Sequence, residues 1–244
     1  STGHDMEAFW SPDGEKISFL TARETYNPEV AANTLELWVM NRDGSNQRPL
    51  ISRTDKTFSA HHWQVKHVSW FPDSQSLLCS LSSSGGIWRV FLDGRKTRLT
   101  PPDEESAHAP VLAPNGKRIA FLVQVGENPG TGSPLYRLYT ADADGTGRII
   151  VEEGLIGEYC WTNDSRSLVY TLFDFREKNF DLWEKGQDGS HSRRISKTPT
   201  DEESPGLSPD GKTIAFITGQ DLYLTPPDSF RPTRIFSGVR TVEW

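Results

Sequence analysis

The chain has 244 residues, 26 basic and 33 acidic side chains, a formal charge of −7, and 35% apolar residues. That length can bury a sizeable core, the acidic balance lacks the basic face that nucleic-acid binding requires, and no run approaches the ~20 apolar residues of a membrane-spanning helix. Twenty Gly, 16 Pro, 8 Trp, 6 Tyr and 12 Phe are too many turn residues for a helix bundle and too many aromatics for a disordered chain.

In chain order, the first expected element is a strand ending at Trp10. A turn (Pro12-Asp13-Gly14), a second strand through Ile17 and Phe19, a third through Leu37 and Trp38, a turn at Asp43-Gly44 and a fourth strand reaching Leu50 follow it. The pattern then recurs. The second copy reads Trp70, Pro72-Asp73-Ser74, Leu77, Cys79, Ile87, Trp88, Asp93-Gly94, Leu99. The third reads Leu112, Pro114-Asn115-Gly116, Ile119, Phe121, Leu138, Tyr139, Asp144-Gly145, and Ile149 or Ile150. The fourth reads Trp161, Asn163-Asp164-Ser165, Leu168, Tyr170, Leu182, Trp183, Asp188-Gly189, Ile195. The fifth reads Leu207, Pro209-Asp210-Gly211, Ile214, Phe216, Leu222, Tyr223, Asp228-Ser229, Ile235. Asp-Gly between apolar runs signals a hairpin, because both residues tolerate positive φ.

Each copy is therefore four short antiparallel strands, A to D, and copies 40 to 51 residues apart are the signature of propeller blades. Ser18, Leu78, Ala120, Val169 and Ala215, between the paired positions of strand B, are small or apolar, so both faces of that strand are expected to be buried. The sequence thus predicts an all-β chain, one β-propeller domain over 1–244 with blades near 7–52, 66–100, 107–151, 157–197 and 204–237. A sixth A strand is expected at Val239–Trp244, so the ring has five or six positions. Cys79 and Cys160 fall in strands of non-neighbouring copies and are expected as two buried, reduced thiols. No secretory signal is legible in Ser1–Trp10, which a processed chain would lack in any case.

Trp10-Ser11-Pro12-Asp13-Gly14-Glu15-Lys16-Ile17-Ser18-Phe19, followed by Leu37-Trp38 and Asp43-Gly44, resembles the Trp-Ser-Pro-Asp-Gly repeat of TolB-like β-propellers, over nearly the whole chain. Local departures are Ser74 and Ser165 in place of Gly, Asn163 in place of Pro, and Ser229 closing the last copy. The resemblance implies a bacterial periplasmic or secreted setting and a protein or peptide partner, while the charge balance and the lack of a long apolar run exclude nucleic acid and membrane insertion as expectations.

Blade topology puts the short A–B and C–D turns on one face and the longer B–C and D–A connections on the other, where binding residues usually reside. The candidate contacts on that loop face are Tyr26, His61, His62, Trp63, Phe173, Phe175 and Arg176, exposed aromatics beside charges being the usual profile of interface anchors. Glu104, Glu105, Glu202 and Glu203 belong to two nearly identical segments, Thr100–Ser106 and Thr198–Ser204, where carboxylates at the channel mouth could hold a divalent cation or simply form a solvated rim. No catalytic residue and no resident cofactor is expected: the chain has no Gly-x-Ser-x-Gly elbow and no P-loop. The enzymatic alternative is a metal-dependent carbohydrate lyase or hydrolase resembling oligogalacturonate lyases, with His62, Gln64 and His108 as candidate ligands. A gating or architectural propeller within a larger protein is the third reading.

Overall fold

The computed structural model describes residues 5–22, 35–52, 54, 55, 57, 64–82, 85–104 and 106–238. Among them there are twenty strands and no helix. The first sheet holds β1 (Asp5–Trp10), β2 (Lys16–Thr21), β3 (Glu36–Asn41) and β4 (Arg48–Ile51), and the second holds β5 (Val65–Trp70), β6 (Ser76–Leu81), β7 (Ile87–Phe91) and β8 (Lys96–Arg98). The third holds β9 (Ala107–Leu112), β10 (Arg118–Glu127), β11 (Pro134–Asp142) and β12 (Ile149–Gly154). The fourth holds β13 (Ile156–Trp161), β14 (Ser167–Asp174), β15 (Asn179–Gly186) and β16 (Arg193–Arg194). The fifth holds β17 (Glu203–Leu207), β18 (Ile214–Thr218), β19 (Asp221–Thr225) and β20 (Thr233–Ser237). In every sheet the strands lie in sequence order, the meander of a propeller blade. The expected strand Val239–Trp244 lies outside the described residues.

One register repeats throughout. Phe19 faces Trp38, Cys79 faces Trp88, Phe121 faces Tyr139, Tyr170 faces Trp183 and Phe216 faces Tyr223 across the central strand pair of each sheet. The last turn of each sheet delivers the D strand onto that pair. Arg98, Arg148 and Arg194 stack over the rings of Trp88, Tyr139 and Trp183 at 5.9, 4.3 and 5.9 Å. These arginines, with Arg234 opposite Tyr223, are a recurrence that the apolar pattern alone did not single out.

The A–B turns close themselves. The side-chain oxygen of Asp13, Asp73, Asn115, Asp164 or Asp210 accepts the backbone N–H two residues on, at 2.9–3.0 Å, the local bond for which Asx residues are favoured in turns. The following residue takes positive φ: +70° at Gly14, +69° at Gly116 and +70° at Gly211, but also +55° at Ser74 and +61° at Ser165. Those two serines use the position to reach the preceding sheet. Ser74 Oγ accepts the Asp13 N–H and Ser165 Oγ accepts the Asn115 N–H, both at 3.1 Å. The C–D turns reuse the side-chain bond at Asp43, Asp93, Asp144 and Asp188. Of each Asp-Gly pair only the glycine has positive φ (+82°, +91°, +88° and +80°), not both residues as the sequence suggested. The turn is a three-residue loop closed by a glycine bulge, the next commonest hairpin solution.

The chain divides into two units, Ser1–Leu112 and Ala113–Trp244. In the first, Leu20, Leu37, Val39 and Ile51 of the first sheet pack with Val65, Trp70, Leu77 and Cys79 of the second. In the second, Val169, Leu182 and Ile195 of the fourth sheet pack with Ile214 and Phe216 of the fifth. Strand B is buried on both faces as expected, Ser18, Leu78, Ala120, Val169 and Ala215 all having at most 1% exposure. Cys79 and Cys160 are free thiols, each pushed up to about 12 by burial; Cys79 is buried as expected, whereas Cys160 is only partly buried.

A bulge on strand A recurs that no sequence signal announced. Glu7, His67, Ala109 and Ser204 stand at the same repeat position with φ of +45°, +53°, +50° and +50°, where the pairing with strand B slips in the first, second and fifth sheets. None is glycine, so each carries local backbone strain.

Candidate functional site

Four of the sequence-derived candidates, Phe173, Phe175, Arg176 and Glu202, lie together at the B–C end of the fourth sheet. There β14 and β15 stay paired to their tips, from Ser167 opposite Gly186 to Asp174 opposite Asn179. Asp174 closes the tip: its Oδ1 accepts the N–H of Arg176 (2.8 Å) and Glu177 (3.3 Å), and its carbonyl accepts the N–H of Lys178 (2.7 Å). These backbone bonds hold the Asp174 carboxyl below the usual range. Phe173 lies across the strand pair from Phe180, and its ring meets those of Phe175 and Phe180 edge-on at 5.1 and 5.2 Å. Edge-to-face geometry is the favoured one for aromatic pairs. Phe175 is 50% exposed, with Arg176, Glu177 and Lys178 exposed beside it.

The D–A connection that follows is stitched to β15. Asn179 Nδ2 donates to the carbonyls of Thr198 (2.9 Å) and Thr200 (3.2 Å). The Phe180 N–H donates to Asp201 Oδ1 (2.8 Å), the Glu202 N–H to the Phe180 carbonyl (2.9 Å), and the Leu182 N–H to Ser196 Oγ (2.8 Å). Beneath it, Arg194 pairs with Asp181 and, at 3.4 Å, with Asp174, while its Nε donates to the Ser196 carbonyl. Glu202 is 1% exposed, and its two oxygens accept from Ser196 Oγ (2.7 Å) and Thr198 Oγ1 (2.5 Å). Burial raises the Glu202 carboxyl against the pull of those hydroxyls. Burial also raises the fully enclosed Asp181, with Arg194 opposing it. The cluster is a buried acid–guanidinium clamp under an exposed aromatic knuckle.

The other candidates separate. Glu203 is exposed on β17. Glu104 is half-buried in the second sheet's D–A connection, its N–H donating to the Pro101 carbonyl at 3.1 Å. The two acidic segments do not superpose as their sequences suggest: Thr100 corresponds to Ser196, not Thr198. Thr100 Oγ1 accepts the N–H of Ile87 as Ser196 Oγ accepts that of Leu182, so the fourth sheet's connection is longer before it reaches the shared acidic run. Gln64 exchanges bonds with Ser82. His108 Nδ1 lies 2.8 Å from the Ser106 carbonyl and His67 Nδ1 lies 3.1 Å from Ser80 Oγ. Burial, reinforced by His108 and Lys66, lowers His67. Among the described residues no group of three or more His, Cys, Asp or Glu is arranged to hold a metal. Tyr26, His61, His62, Trp63 and Glu105 lie outside the described residues.

Sequence reasoning missed Asn179, Asp181 and Arg194. The recurring Arg-aliphatic pair on strand D could have pointed to Arg194, but its two acidic partners belong to the fourth sheet alone. A cleft of about 930 Å³ also lies in the second unit, with Asp164, His191, Arg193 and Asp210 in its wall. Asp164 and Asp210 are already engaged in closing their own turns, which leaves the B–C end of the fourth sheet the better candidate.

No protein-family model matches the chain, and no curated protein matches it in sequence. Its fold matches solved structures. It is similar to oligogalacturonate lyase from Vibrio parahaemolyticus at 13% identity and a TM-score of 0.69, covering 93% of this chain and 64% of that one. It is similar to TolB from Acinetobacter baumannii at 17% identity and a TM-score of 0.60, covering 98% and 56%. It is also similar to a puromycin-hydrolyzing peptidase from Mycobacterium tuberculosis at 14% identity and a TM-score of 0.68, covering 96% and 38%. The chain thus spans about three-fifths of the lyase and TolB structures and has the TolB-like β-propeller fold. That fold hosts a lyase and a peptidase as well as TolB, so function has to be argued from the site.

Proposed function

We propose that the chain is a non-catalytic binding module for a protein or peptide partner, acting in the periplasm or outside the cell. It works through the loop face, with the fourth sheet's B–C tip as the contact centre. The observation that carries this reading is Phe175: half exposed, braced edge-on by Phe173, and set on a hairpin that the Asp174, Arg194 and Glu202 bonds hold rigid. A preordered aromatic beside charged side chains loses little freedom on binding, which is what makes such residues interface anchors. The likeness to TolB-type propellers supports the same reading.

The test is selection of a displayed peptide library on the intact protein, with Phe175→Ala and Arg176→Ala proteins as counter-screens. The expected result is a set of peptides whose affinity drops about tenfold or more on Phe175→Ala, the cost of an ordinary anchor residue, at an unchanged thermal midpoint. Peptides that bind both proteins equally would move the contact surface elsewhere.

A further inference from the structure

Asn115 occupies the one A–B turn in which an amide replaces the carboxylate found at Asp13, Asp73, Asp164 and Asp210, and it is the chain's only asparagine followed by glycine. We propose that Asn115 is a site of spontaneous deamidation gated by opening of its own turn. We further propose that the aspartate product refits the fold while the isoaspartate product does not.

The chemistry needs only water. The backbone nitrogen of Gly116 attacks Cγ of Asn115, ammonia leaves with the former amide nitrogen, and a five-membered succinimide forms. Water then adds at one of its two carbonyls, opening the ring to aspartate or, with the main chain rerouted through the side-chain carbon, to isoaspartate. Glycine after asparagine favours the attack, because no Cβ obstructs the approach.

The native turn blocks it. The Gly116 N–H donates to the Ala113 carbonyl at 2.8 Å, and Asn115 Oδ1 is held by the Lys117 N–H at 2.9 Å. Both partners of the ring closure are therefore committed elsewhere. A third bond, from the Asn115 N–H to Ser165 Oγ at 3.1 Å, ties the turn to the fourth sheet. Asn115 is nevertheless exposed, so water reaches it once the turn opens.

The two products meet different fates. An aspartate keeps the backbone and offers the same oxygen to the Lys117 N–H, as the four natural aspartates do in their turns. Isoaspartate inserts a carbon between the Asn115 and Gly116 nitrogens. Those nitrogens donate to Ser165 and Ala113 respectively, and the lengthened backbone cannot keep both bonds.

The experiment is incubation of the whole chain at mildly alkaline pH, in native buffer and in guanidinium chloride. Peptide mapping by mass spectrometry then distinguishes aspartate from isoaspartate. Conversion at Asn115 is expected in both, slower in native buffer by about tenfold or more, the factor that about 1.4 kcal/mol of opening free energy represents. Ser165→Ala is expected to speed the native reaction roughly two- to tenfold, the equivalent of one ordinary hydrogen bond, without changing the rate in guanidinium. Asn115→Asp is expected to match the wild-type thermal midpoint, and the chromatographically separated isoaspartate form to fall below it. Equal rates in the two solvents, no conversion in guanidinium, or a destabilised Asn115→Asp protein would each overturn the proposal.

Discussion

Glu202 and the turn aspartates respond to acid in opposite senses. Burial raises the Glu202 carboxyl above its ordinary 4.5, so between that value and its folded one the native state holds more protons than the unfolded chain, and stability falls as pH rises through that window. Asp13, Asp43, Asp144, Asp164, Asp188 and Asp210 are lowered instead, chiefly by the hydroxyl that donates to each and then by backbone N–H groups. Their contribution is lost as pH falls below the ordinary 3.8 toward their folded values. Acidification through the ordinary 6.5 of His67 costs stability, because burial lowers that imidazole; below that range, denaturant melts should show stability rising as acid protonates Glu202, then declining. Glu202→Gln should flatten the rise and leave the decline intact; an unchanged rise would show that Glu202 does not titrate as buried. The turn aspartates were legible in the sequence because each makes its bond within two residues. The burial of Glu202 was not, because Asp201-Glu202-Glu203 reads as solvated and the hydroxyls that hold Glu202 are brought round only by the folded connection.

At the scale of the element, turns and bulges differ in what they reveal. Gly94 has φ of +91° with nothing within 4 Å of the Cβ it lacks, so Gly94→Ala should cost about 1 kcal/mol of purely backbone origin, measurable by chemical denaturation. Ser74 and Ser165 adopt the same region without being glycine because each gains a bond to another sheet, which turns two departures from the repeat into a reason. The strand A bulges at Glu7, His67, Ala109 and Ser204 share a position but no residue type, so a pattern of letters could not disclose them. The fourth sheet's hairpin tip lies between Asp174 and Asn179, and in the third sheet β10 runs on to Glu127 and β11 starts at Pro134, so 128–133 form the connection. Phe175→Ala should shift unfolding by no more than about 0.5 kcal/mol, as exposed substitutions do. A larger loss would mean that its ring is part of the core.

Across the whole molecule, equivalent letters do not guarantee equivalent burial. Ile195 and Ile235 hold the same repeat position on strand D, yet Ile195 is 8% exposed and Ile235 is 53% exposed. Ile195→Ala should cost about 2–5 kcal/mol by the usual price of a core deletion, and Ile235→Ala about 0.5 kcal/mol or less. Similar losses at both sites, read from paired denaturation curves, would contradict the packing described for the fifth sheet. The repeat made the sheet architecture legible because strand pairing is a local, periodic property. Which faces are covered depends on neighbours that periodicity does not specify.

The turns that satisfy their own backbone from within have a genetic corollary. A unit duplicated or deleted by unequal recombination carries its folding instructions with it, and only the residues that greet a neighbour, such as Ser74 and Ser165, must be retuned afterwards.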